Sequence, residues 1–185
     1  MHYTFPELQQ YVDNYQQHIY LKTGHYPLAM ATTDRYSPCI IEKNQEAVYW
    51  KMVIREDADF SPIERGIELI LHEDVKAYYG ALFSGDIPVI YKGLQMQLIQ
   101  IWNEADFLKL SENILGHLVM QRRLKLAPTI FIAALRKENE IISIDNETGE
   151  VLYEFLGTGK RIVLAKSLSD LLPKLSYNAP IYFKG

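Results

Sequence analysis

Thr129-Ile130-Phe131-Ile132-Ala133-Ala134-Leu135, Glu140-Ile141-Ile142-Ser143-Ile144-Asp145 and Val151-Leu152-Tyr153-Glu154-Phe155-Leu156 follow one another closely in this chain. Each run is rich in β-branched and aromatic residues and has the length of a strand. The spacers Arg136-Lys137-Glu138-Asn139 and Asn146-Glu147-Thr148-Gly149 have the chemistry of tight turns. Three strands are therefore predicted over 129–135, 140–145 and 151–156, in hairpin order, with 146–149 as the turn between the last two. Residues 161–164 add a fourth strand after Gly157-Thr158-Gly159. Strands that come in runs, rather than alternating with helices, predict an α+β fold. Its sheet is antiparallel, or mixed at most, with helices packed on one side.

Upstream, Asn103-Glu104-Ala105-Asp106 caps a long helix reaching about residue 123, with Phe107, Leu110, Ile114 and Leu118 on its inner face. Before it, residues 88–91 and 94–102 read as a hairpin around Lys92-Gly93. Ser61-Pro62-Ile63-Glu64 is a helix start with serine as cap and glutamate three residues on. A short helix is predicted over 75–82, and strands over 47–53 and at Ile40-Ile41. The first helix spans 5–22, capped by Thr4 and stopped at Gly24, and residues 26–38 show no period. A last helix over 167–175 precedes a tail. One domain over 1–175 with a tail over 176–185 is the expected organisation.

The chain of 185 residues is 48% hydrophobic and 23% charged, ordinary globular material that buries roughly 70% of its unfolded surface without staples. Cys39 is the single cysteine, so no internal disulfide forms. No secretory signal pattern opens the sequence, and the longest apolar run, 130–135, falls far short of the ~20 residues of a spanning helix. A cytoplasmic protein is expected. The net charge is −4, but unevenly placed. Residues 42–112 hold 13 acids against 7 bases, whereas 113–137 hold 5 bases and no acid. An acidic excess opposes sequence-independent nucleic-acid binding, which runs on phosphate neutralisation, and suits a basic partner.

No catalytic motif emerges. Gly157-Thr158-Gly159-Lys160 lacks the spacing, the following Ser or Thr and the helix of a phosphate loop. His72-Glu73-Asp74 places ligand types side by side rather than one helical turn apart, and His2, His18, His25 and His117 share no metal spacing, so neither metal nor cofactor is expected. Cys39 has no neighbouring base. One enzymatic alternative remains: a hydrolase pairing Asp86 with Glu104 or Asp106 as acid and base. The competing reading is capping, because acids in a first helical turn meet the positive end of the dipole. Trp50 and Trp102 are candidate aromatic contacts, weighed against a plain core role.

Several segments carry a resemblance to a known family. Ser37-Pro38-Cys39-Ile40-Ile41, Ala47-Val48-Tyr49-Trp50 and Gly85-Asp86 come first. Trp102-Asn103-Glu104-Ala105-Asp106-Phe107, Glu112-Asn113-Ile114-Leu115-Gly116-His117-Leu118 and Arg123-Leu124-Lys125-Leu126 follow. Pro128 through Ala133, Gly149-Glu150-Val151 and Leu156-Gly157-Thr158 complete the set. In this order they resemble the Syd family, over nearly the whole chain. The resemblance implies an α+β binding domain of the Smi1/Knr4-like (SUKH) superfamily, which also holds immunity proteins against nuclease toxins. It implies a non-enzymatic protein held loosely at the cytoplasmic side of the inner membrane through SecY, as a regulator or quality-control factor. An acidic concave face would meet the basic cytosolic loops of that channel. Charge blocks and motif positions nominate Asp86, Glu104 and Asp106 for that face, with Glu64 and Glu68 adding to its field. Charge reversal at Asp86 and Glu104 is expected to cost only about 1 kcal/mol of stability, as for acids near a helix start. An immunity-type protein that neutralises a basic toxin is the alternative.

Overall fold

The C-terminal strands pair in the predicted order. In the computed structural model, which describes residues 1–30, 36–44 and 47–178, β8 (Thr129–Leu135), β9 (Glu140–Asp145), β10 (Val151–Phe155) and β11 (Lys160–Ala165) are joined antiparallel. Ser143 lies opposite Phe131 on one side and Leu152 on the other. The turn after β9 closes through Gly149 N–H donating to Asp145 O at 2.9 Å. Gly149 has φ +75°, and a Cβ there would sit 2.7 Å from the His72 ring. Both backbone strain and this contact oppose a side chain, so Gly149→Ala should cost about 1–3 kcal/mol and lower the melting temperature by several degrees. A melt coinciding with wild type would show that the turn does not hold His72.

The hairpin β6 (Ile87–Tyr91) and β7 (Leu94–Leu98) joins the same sheet. With β12 (Ser176–Tyr177) the order becomes β11-β10-β9-β8-β7-β6-β12, seven strands and antiparallel throughout. The Tyr91 hydroxyl on β6 donates to Leu164 O on β11 at 3.1 Å, so the sheet curls until distant strands touch. β7 leaves β8 after the Leu98–Ala133 pair. Ile132 O still accepts the Ile99 N–H at 2.9 Å and takes the Tyr78 hydroxyl as well at 3.2 Å, while the next carbonyl, Phe131 O, accepts the Tyr79 hydroxyl at 2.6 Å. Buried backbone acceptors demand such partners, and this demand fixes α3 (Glu73–Gly80) against the split in the sheet.

The long helix α4 (Glu104–Arg123) presents Phe107, Leu110, Ile114 and Leu118 inward, as its period predicts. α2 (Ser61–Ile67) runs beside it, Gly66 against Leu115. α1 (Pro6–Thr23) buries Leu8, Val12 and Tyr15. Each fully buried aliphatic side chain contributes about 1.5–3 kcal/mol, so this continuous core dominates stability. Two smaller sheets complete the fold: β1 (Leu28–Met30), β3 (Ala47–Trp50) and β2 (Ile40–Lys43) in that order, and β4 (Val53–Ile54) with β5 (Leu82–Phe83).

Local chemistry differs from expectation at several ends. Thr4 does not cap α1, whose first turn relies on Pro6. Glu64 does not close a capping box; it accepts the Leu71 N–H at 3.0 Å, while Asp59 accepts that of Ser61 at 2.9 Å. The aperiodic segment 26–38 contains β1, a strand too short to show alternation, and its residues 31–35 lie outside the described ones. The expected strand over 47–53 is two strands with a break at Lys51-Met52. The expected helix over 167–175 is α5 (Leu168–Leu171) followed by a 3₁₀ turn, Leu172–Lys174, because Pro173 has no N–H to continue the ladder. The tail enters the sheet at once as β12; residues 179–185 lie outside the described residues.

Candidate functional site

Two loops and a helix start form the site. Gly85 brings its backbone onto the Trp50 ring, so closely that a Cβ would stand 2.7 Å from the indole. That contact sets the loop from which Asp86 emerges. The Asp86 carboxylate accepts the Gln100 N–H at 2.8 Å and the Gln97 amide at 3.1 Å. Crowding by the protein pushes its pKa up to about 6, the nearby charge of Asp106 adds to this, and the two hydrogen bonds oppose it. The residue nevertheless keeps an exposed edge, which moderates the desolvation and leaves the carboxylate in reach of a partner.

Asp106 is positioned from the other side. Asn103 caps α4 by accepting the Asp106 N–H at 2.9 Å, and its own amide donates to Tyr36 O at 2.6 Å. Ser37 donates to Trp102 O at 2.5 Å and accepts the Cys39 N–H at 3.1 Å. The Ser37-Pro38-Cys39 and Trp102-Asn103 segments, distant in sequence, thus hold each other and the first turn of α4. Asp106 ends up near enough to Asp86 to add to the cost of the Asp86 charge, at the mouth of a helix N-terminus.

Glu104 has a different task. Its carboxylate takes two hydrogen bonds from Arg55, at 3.0 and 2.6 Å. The Arg55 side chain is 2% exposed against 63% for Glu104. The guanidinium also donates to Tyr79 O at 3.2 Å and lies 4.1 Å from the Phe107 ring centre. Sequence reasoning missed Arg55. The available signal was a lone arginine ending the apolar run Met52-Val53-Ile54, where a buried cation must find an anion. Glu64 and Glu68 are not brought to the rim. Glu64 pairs with Lys76 at 3.1 Å, and Glu68 ends α2 with φ 52°. The end of α2 faces Leu115, about 14 Å along the α4 axis from Asp106.

Trp50 and Trp102 are 1% and 8% exposed, so both serve as core rather than as contact surface. Burial raises the Cys39 thiol to about 11, which leaves it inert as a nucleophile at neutral pH. His117 packs edge-on against Phe131, and desolvation lowers its pKa. No group of potential metal ligands occurs among the described residues. No helix among them is long and apolar enough to cross a membrane.

The family model for Syd protein (SUKH-2) matches residues 5–176, a span that contains every element of the rim. This chain belongs to the Syd family. Protein Syd of Aliivibrio salmonicida is 45% identical over 168 residues, covering 90% of each chain. Protein Syd of Pectobacterium carotovorum subsp. carotovorum is 41% identical over 165 residues, covering 89% of this chain and 88% of its own. Protein Syd of Aliivibrio fischeri is also 41% identical, over 169 residues. The family resemblance carried by the quoted motifs is therefore correct. Two of those motifs, at 37–39 and 102–106, are the segments that build the first turn of α4.

Proposed function

We propose that this Syd-family chain docks on the Lys- and Arg-rich cytosolic loops of SecY through the rim formed by Asp86 and Asp106, without catalysis, as a regulator or quality-control factor of the channel. The 1–175 domain carries this function, and its place is the cytoplasmic side of the membrane, reached through the partner. The supporting observation is the pair itself: a partly exposed carboxylate whose pKa is raised by packing and by the neighbouring Asp106 gains from any cation that replaces this repulsion. Cytoplasmic loops of membrane proteins supply such cations. Glu104 adds field while its charge is held by Arg55. For the same reason the hydrolase alternative loses Glu104 and keeps only Asp106 as a partner for Asp86, on an exposed rim that suits docking better than catalysis.

Proton linkage tests this reading. Asp86 is raised in the free protein to about 6. A bound lysine or arginine favours the carboxylate, so binding releases a proton and affinity increases as pH rises through that value. A Lys/Arg-rich SecY loop peptide should bind about three- to tenfold tighter at pH 7 than at pH 5, and Asp86→Asn should abolish the difference. Titration by calorimetry at both pH values measures it. The same affinity for wild type at both would contradict a role for Asp86. Stability moves oppositely: between the unfolded value of 3.8 and about 6 the folded state holds the proton longer, so this group's contribution falls as pH rises across that window.

A further inference from the structure

Beside the two acids of the rim stands an aromatic side chain that the fold does not use. We propose that Tyr36 stacks on an arginine of the bound loop and so gives the rim a preference for arginine over lysine. This rests on the docking reading above and adds to it the kind of cation that is recognised.

The exposure of Tyr36 is the first observation. Tyr11, Tyr15, Tyr78, Tyr79 and Tyr91 are buried in the core, whereas Tyr36 is 82% exposed. An aromatic ring on a loose loop would mean little, but the backbone that carries this one is fixed from below. Its carbonyl accepts the Asn103 amide at 2.6 Å. The next residue, Ser37, is buried, donates to Trp102 O, and accepts the Ile40 N–H on its own carbonyl at 3.3 Å. Pro38 then locks its own φ. A rigidly mounted tyrosine gives a large contact area at little cost in conformational freedom, which is why binding surfaces favour it.

Its neighbours decide what it would contact. The Asn103 carboxamide that holds Tyr36 through its NH₂ holds the Asp106 N–H through its oxygen, at 2.9 Å. Both residues therefore hang from one small group, and Tyr36 stands beside the Asp86 and Asp106 rim. Trp50 and Trp102, the aromatic contacts nominated from the sequence, lie in the core, so this role falls to Tyr36. A carboxylate next to a ring suits a guanidinium, whose fork donates to the acid while its plane lies on the ring; an ammonium is a point charge and gains less from the pair. The start of α4 already contains this combination. Arg55 gives two hydrogen bonds to Glu104 while its guanidinium lies 4.1 Å from the Phe107 ring centre.

Two forms of the Lys/Arg-rich loop peptide, one with every basic residue arginine and one with every basic residue lysine, test the assignment by calorimetry against the full chain. Wild type should bind the arginine form about two- to fivefold more tightly. Tyr36→Ala should lower that ratio toward one and Tyr36→Phe should keep it. Tyr20→Ala, which removes an exposed tyrosine from α1, should leave it alone. In proton spectra of the bound arginine form, the δ-methylene resonances should move upfield under the ring current with wild type and not with Tyr36→Ala. Since Tyr36 is held through its backbone carbonyl, Tyr36→Ala should melt like wild type. Equal binding of the two forms by wild type, or a ratio in Tyr36→Ala equal to that of wild type, would overturn the assignment while the acidic rim stands. Failure of both forms to bind wild type would overturn the docking reading, and this assignment with it.

Discussion

Asp86→Asn combined with Asp106→Asn should weaken binding of a basic SecY loop peptide by about 30-fold at low salt, with little change in stability. The exposed Asp86 and the half-buried Asp106 each contribute about 1 kcal/mol at contact distance from a cation in water, and 1.4 kcal/mol is a factor of ten. Asparagine keeps an oxygen that can accept the Gln100 N–H now bound by Asp86, so the loop retains its hydrogen bond. Asn103 caps α4 through a backbone N–H, which is untouched by the side chain at 106. The double variant should also flatten the salt dependence, because the attraction it removes is screened over roughly 8 Å at physiological ionic strength. A variant that melts like wild type and binds with the same affinity and salt slope would remove the rim from the account. Gln97 and Gln100 would then be left as structural partners of a loop.

The second large effect is on stability and is asymmetric. Glu104→Lys should destabilise by about 3–5 kcal/mol, since it strands the buried Arg55 charge and adds a second cation beside it. For a chain of this size that is a fall of about 6–20 °C in melting temperature. Arg55→Met should cost less, about 1–2 kcal/mol, because it removes the buried charge itself and leaves Glu104 free to hydrate. Paired thermal and urea melts decide this. If Glu104→Lys proves as mild as Arg55→Met, the ion pair is not what holds the start of α4. The result matters for any test of docking: a charge reversal at 104 reports on folding before it reports on the rim.

That correction shows what the sequence could and could not reveal. The C-terminal sheet was legible because its strands are consecutive, each follows a turn of recognisable chemistry, and their pairing needs no distant partner. The long helix was legible from its period and from Asn103. Short strands such as β1 and β12 were not, since two or three residues leave no alternation to read and depend on β3 and β6 for their existence. Among the acids, residue type and motif position nominated Asp86, Asp106 and Glu104 alike and could not separate them. Only the fold brings Arg55 across 49 positions to neutralise one of the three. Likewise, Glu64 and Glu68 share the acidic block yet are turned to Lys76 and to the end of α2. A charge block in sequence is not a charge cluster in space. The buried Glu154 illustrates the same point, an acid in a strand that is ion-paired with Arg161 at 2.6 Å and hydrogen-bonded by Thr129 and Ser143.

The most direct test of the docking account compares SecY-containing nanodiscs with empty nanodiscs of the same anionic lipid. Wild type and the Asp86→Asn, Asp106→Asn variant would be flowed over each at low and moderate salt, with association followed optically. The net charge of −4 has the sign of the lipid and opposes binding to bare membrane. Saturable binding of wild type to SecY discs alone, weakened by salt and by the double variant, is the predicted result. Equal binding to empty discs, or SecY binding that neither salt nor the double variant reduces, would contradict it.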